Sequence, residues 1–175
     1  NYEGGIRVPC LFWWPGTIPA NTSSPDLAAT LDVLPTFTSL AGGKAPFGSA
    51  ERPIDGVDLS ELLKDPSKPS PREDFFYFYG GDKALVAIRF KHWKLLIGWP
   101  DNKHEPDAIF KPALYDLAKD PGETTNVIAQ FPEVVQKLEE MITELDADIG
   151  GVKNGPAIRP SARVKSPTAL VKSQE

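Results

Sequence analysis

The sequence predicts an α/β unit followed by a smaller α+β unit, and three observations carry that prediction. An apolar run of β-branched and aromatic residues over positions 6–14 reads as a strand covered on both faces, as in a parallel α/β sheet. Near Glu73 the hydrophobic pattern changes from that of a helix to that of strands. Further on, Val135, Leu138, Ile142, Leu145 and Ile149 recur at helical spacing and draw one apolar stripe along a long helix.

Taken in order, Gly4-Gly5 opens the chain as a turn, because glycine tolerates backbone angles that side chains forbid. Residues 6–14 follow as the strand, with Pro9 at its start or on a bulge and Pro15-Gly16 ending it. Ser24-Pro25-Asp26 reads as N-cap, first-turn proline and early acid of a helix that Leu27, Leu31, Leu34 and Leu40 continue. Pro35 cannot lie deep inside a helix begun at Pro25. The pattern therefore predicts a restart capped by Asp32, with Pro35 in the first turn, where a missing N–H costs nothing, and Gly42-Gly43 as the stop. Residues 43–72 are rich in proline, serine, glycine and charge, with one amphipathic piece over 58–63, and form the junction between the units. Residues 75–79, 84–90, 93–97 and 113–117 read as antiparallel strands, with turns at Gly80-Gly81-Asp82 and Lys91-His92 and a polar loop over 100–112. Asp120-Pro121-Gly122 is a turn, and the helix over 132–149, closed by Gly150-Gly151, covers one face of the strands. The predicted divisions are 1–72, 73–150 and a loose tail over 151–175.

Composition narrows the function. The 175 residues carry 19 Lys+Arg against 24 Asp+Glu, a net charge of −5 without a basic block, which argues against a nucleic-acid partner. No apolar run approaches the roughly 18 residues of a membrane span. One cysteine excludes an internal disulfide, and two histidines leave no zinc-site spacing, so no metal site is expected in this chain. The 18 prolines, about twice average usage, fit short elements and many turns. Asn1-Tyr2-Glu3-Gly4-Gly5 has no methionine or signal-like stretch and runs straight into structured-looking sequence, which reads as the interior of a longer protein.

Catalytic equipment is sparse. Cys10 lies in the apolar run and reads as a small buried hydrophobe. His92 is a turn residue, whereas His104-Glu105 sits in the polar loop, the kind of segment that carries function on a rigid scaffold. Asp55-Gly56-Val57-Asp58 looks like the start of a calcium loop but lacks the later ligands, and reads as a turn. Asn21-Thr22-Ser23 matches the glycosylation acceptor pattern. The aromatic run over 75–79 is core by strand alternation, or else a stacking platform. Glu3-Gly4-Gly5-Ile6-Arg7 has the most catalytic flavour: an acid and a guanidinium flank two glycines that let the backbone approach something closely. An ordinary turn with an ion pair explains it equally well.

Several segments together resemble the sulfatases. Tyr2-Glu3-Gly4-Gly5-Ile6-Arg7-Val8-Pro9, Trp14-Pro15-Gly16, Asp32-Val33-Leu34-Pro35-Thr36 with Leu40-Ala41-Gly42, and Asp55-Gly56-Val57-Asp58-Leu59 follow in that family's order. Ala87-Ile88-Arg89 with Trp93-Lys94-Leu95, then Leu114-Tyr115-Asp116-Leu117, Asp120-Pro121-Gly122-Glu123 and Asn126, resemble its C-terminal subdomain. The resemblance spans roughly residues 1–150. It implies the end of an alkaline-phosphatase-like α/β domain, then a small antiparallel sheet with a packed C-terminal helix. It also implies hydrolysis of a sulfate ester, on a sulfated small molecule or glycan. The chemistry would use a formylglycine made from an upstream Cys or Ser and a calcium ion whose ligands are also upstream. Cys10, followed by Leu11-Phe12-Trp13-Trp14, does not fit the formylglycine precursor. The family's active-site lysine would fall just before Asn1, so this chain would hold no catalytic residue and, alone, would be inactive. Glu3 and Arg7 would fix the lysine-bearing loop, and His104 would approach substrate. The partner implied is the missing N-terminal part of the same protein, and the compartment is periplasmic, secreted or lysosome-like. Two alternatives stay open: a phosphate- or phosphonate-ester hydrolase of the same superfamily, and a non-catalytic glycan-binding or interaction module using residues 75–79 and 100–112.

Overall fold

The computed structural model describes residues 2–43, 54–79, 84–97 and 111–149. The turn at 80–82, His104 with most of the 100–112 loop, Gly150-Gly151 and the tail over 151–175 lie outside the described residues. The elements run α1 (Glu3–Ile6), a 3-10 turn (Thr30–Asp32), α2 (Val33–Leu40), α3 (Ser60–Lys64), β1 (Asp74–Tyr79), β2 (Ala84–Phe90), β3 (Trp93–Leu96), β4 (Ala113–Asp116), a second 3-10 turn (Ile128–Gln130) and α4 (Pro132–Ile149).

The four strands form one antiparallel meander in the order β1-β2-β3-β4. Its register places Ile88, Leu95 and Leu114 in line across three strands. Because alternate residues share a face, these three turn to one side, where they pack with Leu138 of α4. Val135 and Ile142, on the same helix stripe, extend that core, and Trp93 meets Phe131 at a ring separation of 4.8 Å. Proline at the first helical position of α4 sacrifices no hydrogen bond. Tyr77, Ala87, Leu96, Ala113 and Tyr115 line the opposite face, against which Ile6 packs. The sheet is thus covered by α4 on one side and by the start of the chain on the other. At the outer edge of β4, the Leu114 N–H donates to Asn126 Oδ1 at 3.1 Å. The Leu114 carbonyl accepts the Val127 N–H at 2.9 Å.

The first third departs from the sequence prediction. Residues 7–14 are irregular, following a helical turn at Glu3–Ile6 rather than forming a strand. A strand exists by pairing, and among the described residues none pairs with this run. Leu11 is 91% exposed, Trp13 83% and Val8 72%, and Cys10 is exposed rather than buried. No helix starts at Ser24-Pro25-Asp26; the Ser24 hydroxyl instead takes the Asp26 N–H at 3.2 Å in a local turn.

The restart at Asp32 is present, and Pro35 lies in the first turn of α2. Gly42, at φ +72°, follows the helix as a left-handed stop. Asp32 does not cap the helix with its side chain. Its carboxylate instead accepts the N–H groups of Ala29 and Val57, both at 2.8 Å, and both arms of the Arg72 guanidinium. Arg72 also donates to the carbonyls of Asp55 and Asp74, so one buried pair joins α2, the 55–57 loop and the start of β1. Thr36 adds a second tie, donating to the Asp32 carbonyl and accepting the Leu59 N–H at 2.9 Å.

Gly56 sits under this arrangement. A Cβ there would stand 2.2 Å from the Leu31 carbonyl oxygen. Gly56→Ala is therefore expected to cost about 1–3 kcal/mol through forced backbone movement, read as a lower urea midpoint at unchanged slope.

Candidate functional site

The candidate site is the Glu3–Arg7 turn and the sheet face beneath it. β3 reads Trp93, Lys94, Leu95, Leu96, so alternation turns Lys94 and Leu96 toward the Tyr77 face and away from α4. Lys94 is fully buried there, its ammonium 5.1 Å from the centroid of the Tyr77 ring. A buried ammonium requires counter-charge. Two carboxylates supply it: Glu3 Oε1 at 3.1 Å and Glu123 Oε1 at 2.7 Å. The Glu3 contact is an aligned hydrogen bond, whereas the shorter Glu123 contact is ionic without that alignment.

The second oxygen of Glu123 accepts the backbone N–H of Glu3, and Arg89 Nη1 approaches the second oxygen of Glu3 at 3.5 Å. Two acids and two bases thus balance on this face, with Glu3 5% and Glu123 7% exposed. Glu123 is placed by the turn before it. The Asp120 carboxylate accepts the N–H groups of Thr124 and Thr125, each at 2.8 Å, and is held below the usual carboxylate range by those bonds. Within that turn Glu123 takes φ +53°, a left-handed conformation uncommon for a residue with a side chain. Burial and the nearby Glu3 charge push the Tyr77 hydroxyl up to about 12. Burial and the neighbouring Tyr2, whose ring lies 6.3 Å from that of Tyr115, push the Tyr115 hydroxyl up to about 12 as well. Both phenols stay neutral at physiological pH.

Glu3 is therefore anchored in the sheet, and its ionic partners are Lys94 and Arg89 rather than Arg7. Arg7 is exposed and has no ion-pair partner among the described residues. Gly4 and Gly5 are exposed, neither has a positive φ, and a Cβ at either would meet nothing within 4 Å. Their smallness is thus not explained by a turn conformation or by a close approach among the described residues. His104 lies outside the described residues. Lys94 and Glu123 were invisible as a pair in the sequence, although a lysine on the inward register of an apolar strand is a signal for a buried counter-ion. Among the described residues no group of three or more His, Cys, Asp or Glu side chains could hold a metal ion, and no helix is long and apolar enough to cross a membrane.

Comparison with known proteins identifies the family to which the chain belongs. The family model for the C-terminal region of N-sulphoglucosamine sulphohydrolase matches residues 1–148. Arylsulfatase A of Homo sapiens is 35% identical over 161 residues, covering 81% of this chain and 31% of that protein. Among solved structures, Ps i-CgsB in complex with k-i-k-neocarrahexaose superposes with a TM-score of 0.66 at 24% identity, over 91% of this chain and 31% of that one. BT4656 in complex with its substrate D-glucosamine-2-N,6-O-disulfate gives 0.56 at 24% identity, over 77% of this chain and 27% of that one. These two likenesses establish the fold: a four-stranded antiparallel sheet with a C-terminal helix. The chain spans under a third of the length of the proteins it matches. With residues 1–148 on the family model and the sheet-and-helix unit shared with solved relatives, the chain belongs to the sulfatase family and corresponds to its C-terminal portion.

Proposed function

We propose that this chain is the C-terminal part of an enzyme that hydrolyses sulfate esters of small molecules or carbohydrates, the reacting groups coming from the part of the protein that precedes it. The match of residues 1–148 to the sulphohydrolase model carries the reading. On it, a formylglycine supplies the nucleophile and a calcium ion stabilises developing charge. Neither fits the residues described here. Among the described residues no three His, Cys, Asp or Glu side chains gather as a ligand set, and Cys10 sits exposed in an apolar run. No reaction step is therefore assigned to this chain's side chains.

Its part is support. Glu3, pinned to the sheet, holds the inner side of the 2–7 turn, while Gly4, Gly5 and Arg7 leave the outer side open to the loop that carries reacting groups. Leu11, Trp13, Leu34 and Phe37 stay exposed, an apolar surface of the kind that marks contact with another body. Part of it lines an open hollow with Phe12, Val33 and Leu40. The reading assigns that face to the rest of the same enzyme, whose compartment would be periplasmic, secreted or lysosome-like. His104 remains a proposed substrate contact.

The test is turnover by the complete protein of an aryl sulfate, a sulfated glucosamine and their phosphate counterparts, beside the isolated 175-residue chain. Sulfate release by the complete protein, and none by the isolated chain, is the expected result. Release of phosphate alone would move the enzyme to the phosphoesterase reading. Turnover by the isolated chain would place catalytic groups within it.

A further inference from the structure

Lys94 and Glu123 have no assigned part in sulfate hydrolysis, yet both are buried beside the proposed support turn. We propose that they are positioning residues: a buried ion clamp by which the C-terminal sheet fixes where the 2–7 turn stands. The inference rests on the reading of that turn as a support for the reacting loop.

The clamp grips the turn through two different groups. Lys94 Nζ reaches the Glu3 carboxylate at 3.1 Å, and Glu123 takes the Glu3 backbone N–H. Side chain and main chain of one residue are thus tied to strands and turns far along the chain, so the turn can neither swing nor slide without separating buried charges. Ionic clusters of this kind are a poor source of stability, since apolar residues of similar volume often serve as well or better. What they supply here is a single geometry, because Lys94 meets both carboxylates only with Glu3 in its present place.

The backbone gives an independent sign. Glu123 keeps a left-handed φ of +53°, where glycine would be at ease and where its immediate neighbour is a glycine. Strain retained at a residue whose side chain does this work points to position rather than to packing. The third sign is the asymmetry of the turn: its inner side is locked, and nothing described touches the space beside Gly4 and Gly5.

The experiment uses the complete protein carrying Lys94→Met together with Glu123→Gln. This pair removes the charges of the clamp without stranding a cation; Arg89 still faces Glu3, and the amide left at position 123 can still accept the Glu3 N–H. The expected result is a kcat at least about tenfold lower, with KM within about twofold, because misplacing a group near the reacting centre by about an ångström is felt in the chemical step. The thermal midpoint should stay within about 5 °C. Glu123→Asp, which keeps the charge and shortens its reach, should lose kcat in the same way. Unchanged kcat in the folded double variant overturns the proposal.

Amide hydrogen exchange reads the clamp without any activity. The Gly5 and Arg7 N–H groups, bonded to the Tyr2 and Glu3 carbonyls, should exchange at least about tenfold faster in the variant while amides in β2 and β3 keep their rates. Equal rates at Gly5 and Arg7 overturn the proposal as well. A parent protein that turns over no sulfate ester ends the sulfatase reading, and the exchange rates then decide the clamp alone. Should the double variant not fold, Glu123→Gln is measured in its place.

Discussion

Asp32→Ala is expected to cost about 3–5 kcal/mol of stability, the range seen when one member of a buried ion pair is removed. Asp32 is fully buried, and Arg72 is 8% exposed. The substitution leaves the guanidinium without its carboxylate and deprives the Ala29 and Val57 N–H groups of their acceptor. Three stretches of chain lose their common anchor at once. Urea unfolding at neutral pH checks the number, and a loss under about 1 kcal/mol would put the pair among the weak, solvated bridges. The same residue shapes the acid limb of the stability curve. Burial pushes its carboxyl up, but the Arg72 hydrogen bond, the Val57 and Ala29 N–H groups and the guanidinium charge outweigh burial and hold it below the usual value. A carboxyl lowered in the folded state contributes its stability in full above its unfolded value, about 3.9, and loses it as pH falls through the lower folded value. Asp32→Ala should therefore flatten the fall in the unfolding midpoint below about pH 4 and leave the curve between pH 5 and 7 parallel to the parent's.

Lys94→Met is expected to cost a similar amount, about 3–5 kcal/mol, by leaving Glu3 and Glu123 buried side by side without the cation between them. Arg89 offsets part of this from the far side of Glu3. Adding Glu123→Gln removes one of the two stranded charges, and the amide can still accept the Glu3 N–H. The double variant should therefore recover at least about 1–2 kcal/mol of what the single one loses, a coupling of the size found between touching residues. Thermal or urea unfolding of both variants and of Glu123→Gln completes the cycle. Simple additivity of the two single changes would mean that the charges do not feel one another.

The elements that were readable from the chain alone are those whose signal is local. The bounds of β2 at Ala84–Phe90 and α4 at Pro132–Ile149 follow from a short apolar run bounded by turn residues, the 3.6-residue stripe and Pro132, all of which act within a few residues. The run over 7–14 misled because apolar character records burial somewhere and does not name the partner. Asp32 misled for a different reason. Its place before Pro35 fits a cap, but a guanidinium forty positions later competes for the carboxylate and wins. The candidate site was legible only in part. Glu3 stood out beside two glycines, whereas the charges that hold it, at positions 89, 94 and 123, come from three separate elements that only the folded sheet brings together.

The seal at Leu114 has a consequence for how copies of this molecule can meet. Asn126 and Val127 occupy both main-chain groups that β4 would otherwise offer outward at that point, which leaves β1 as the free flank among the described strands. Among the described strands, ribbon-like association edge to edge is thus blocked at Leu114 on the β4 side, which works against a growing series of sheets.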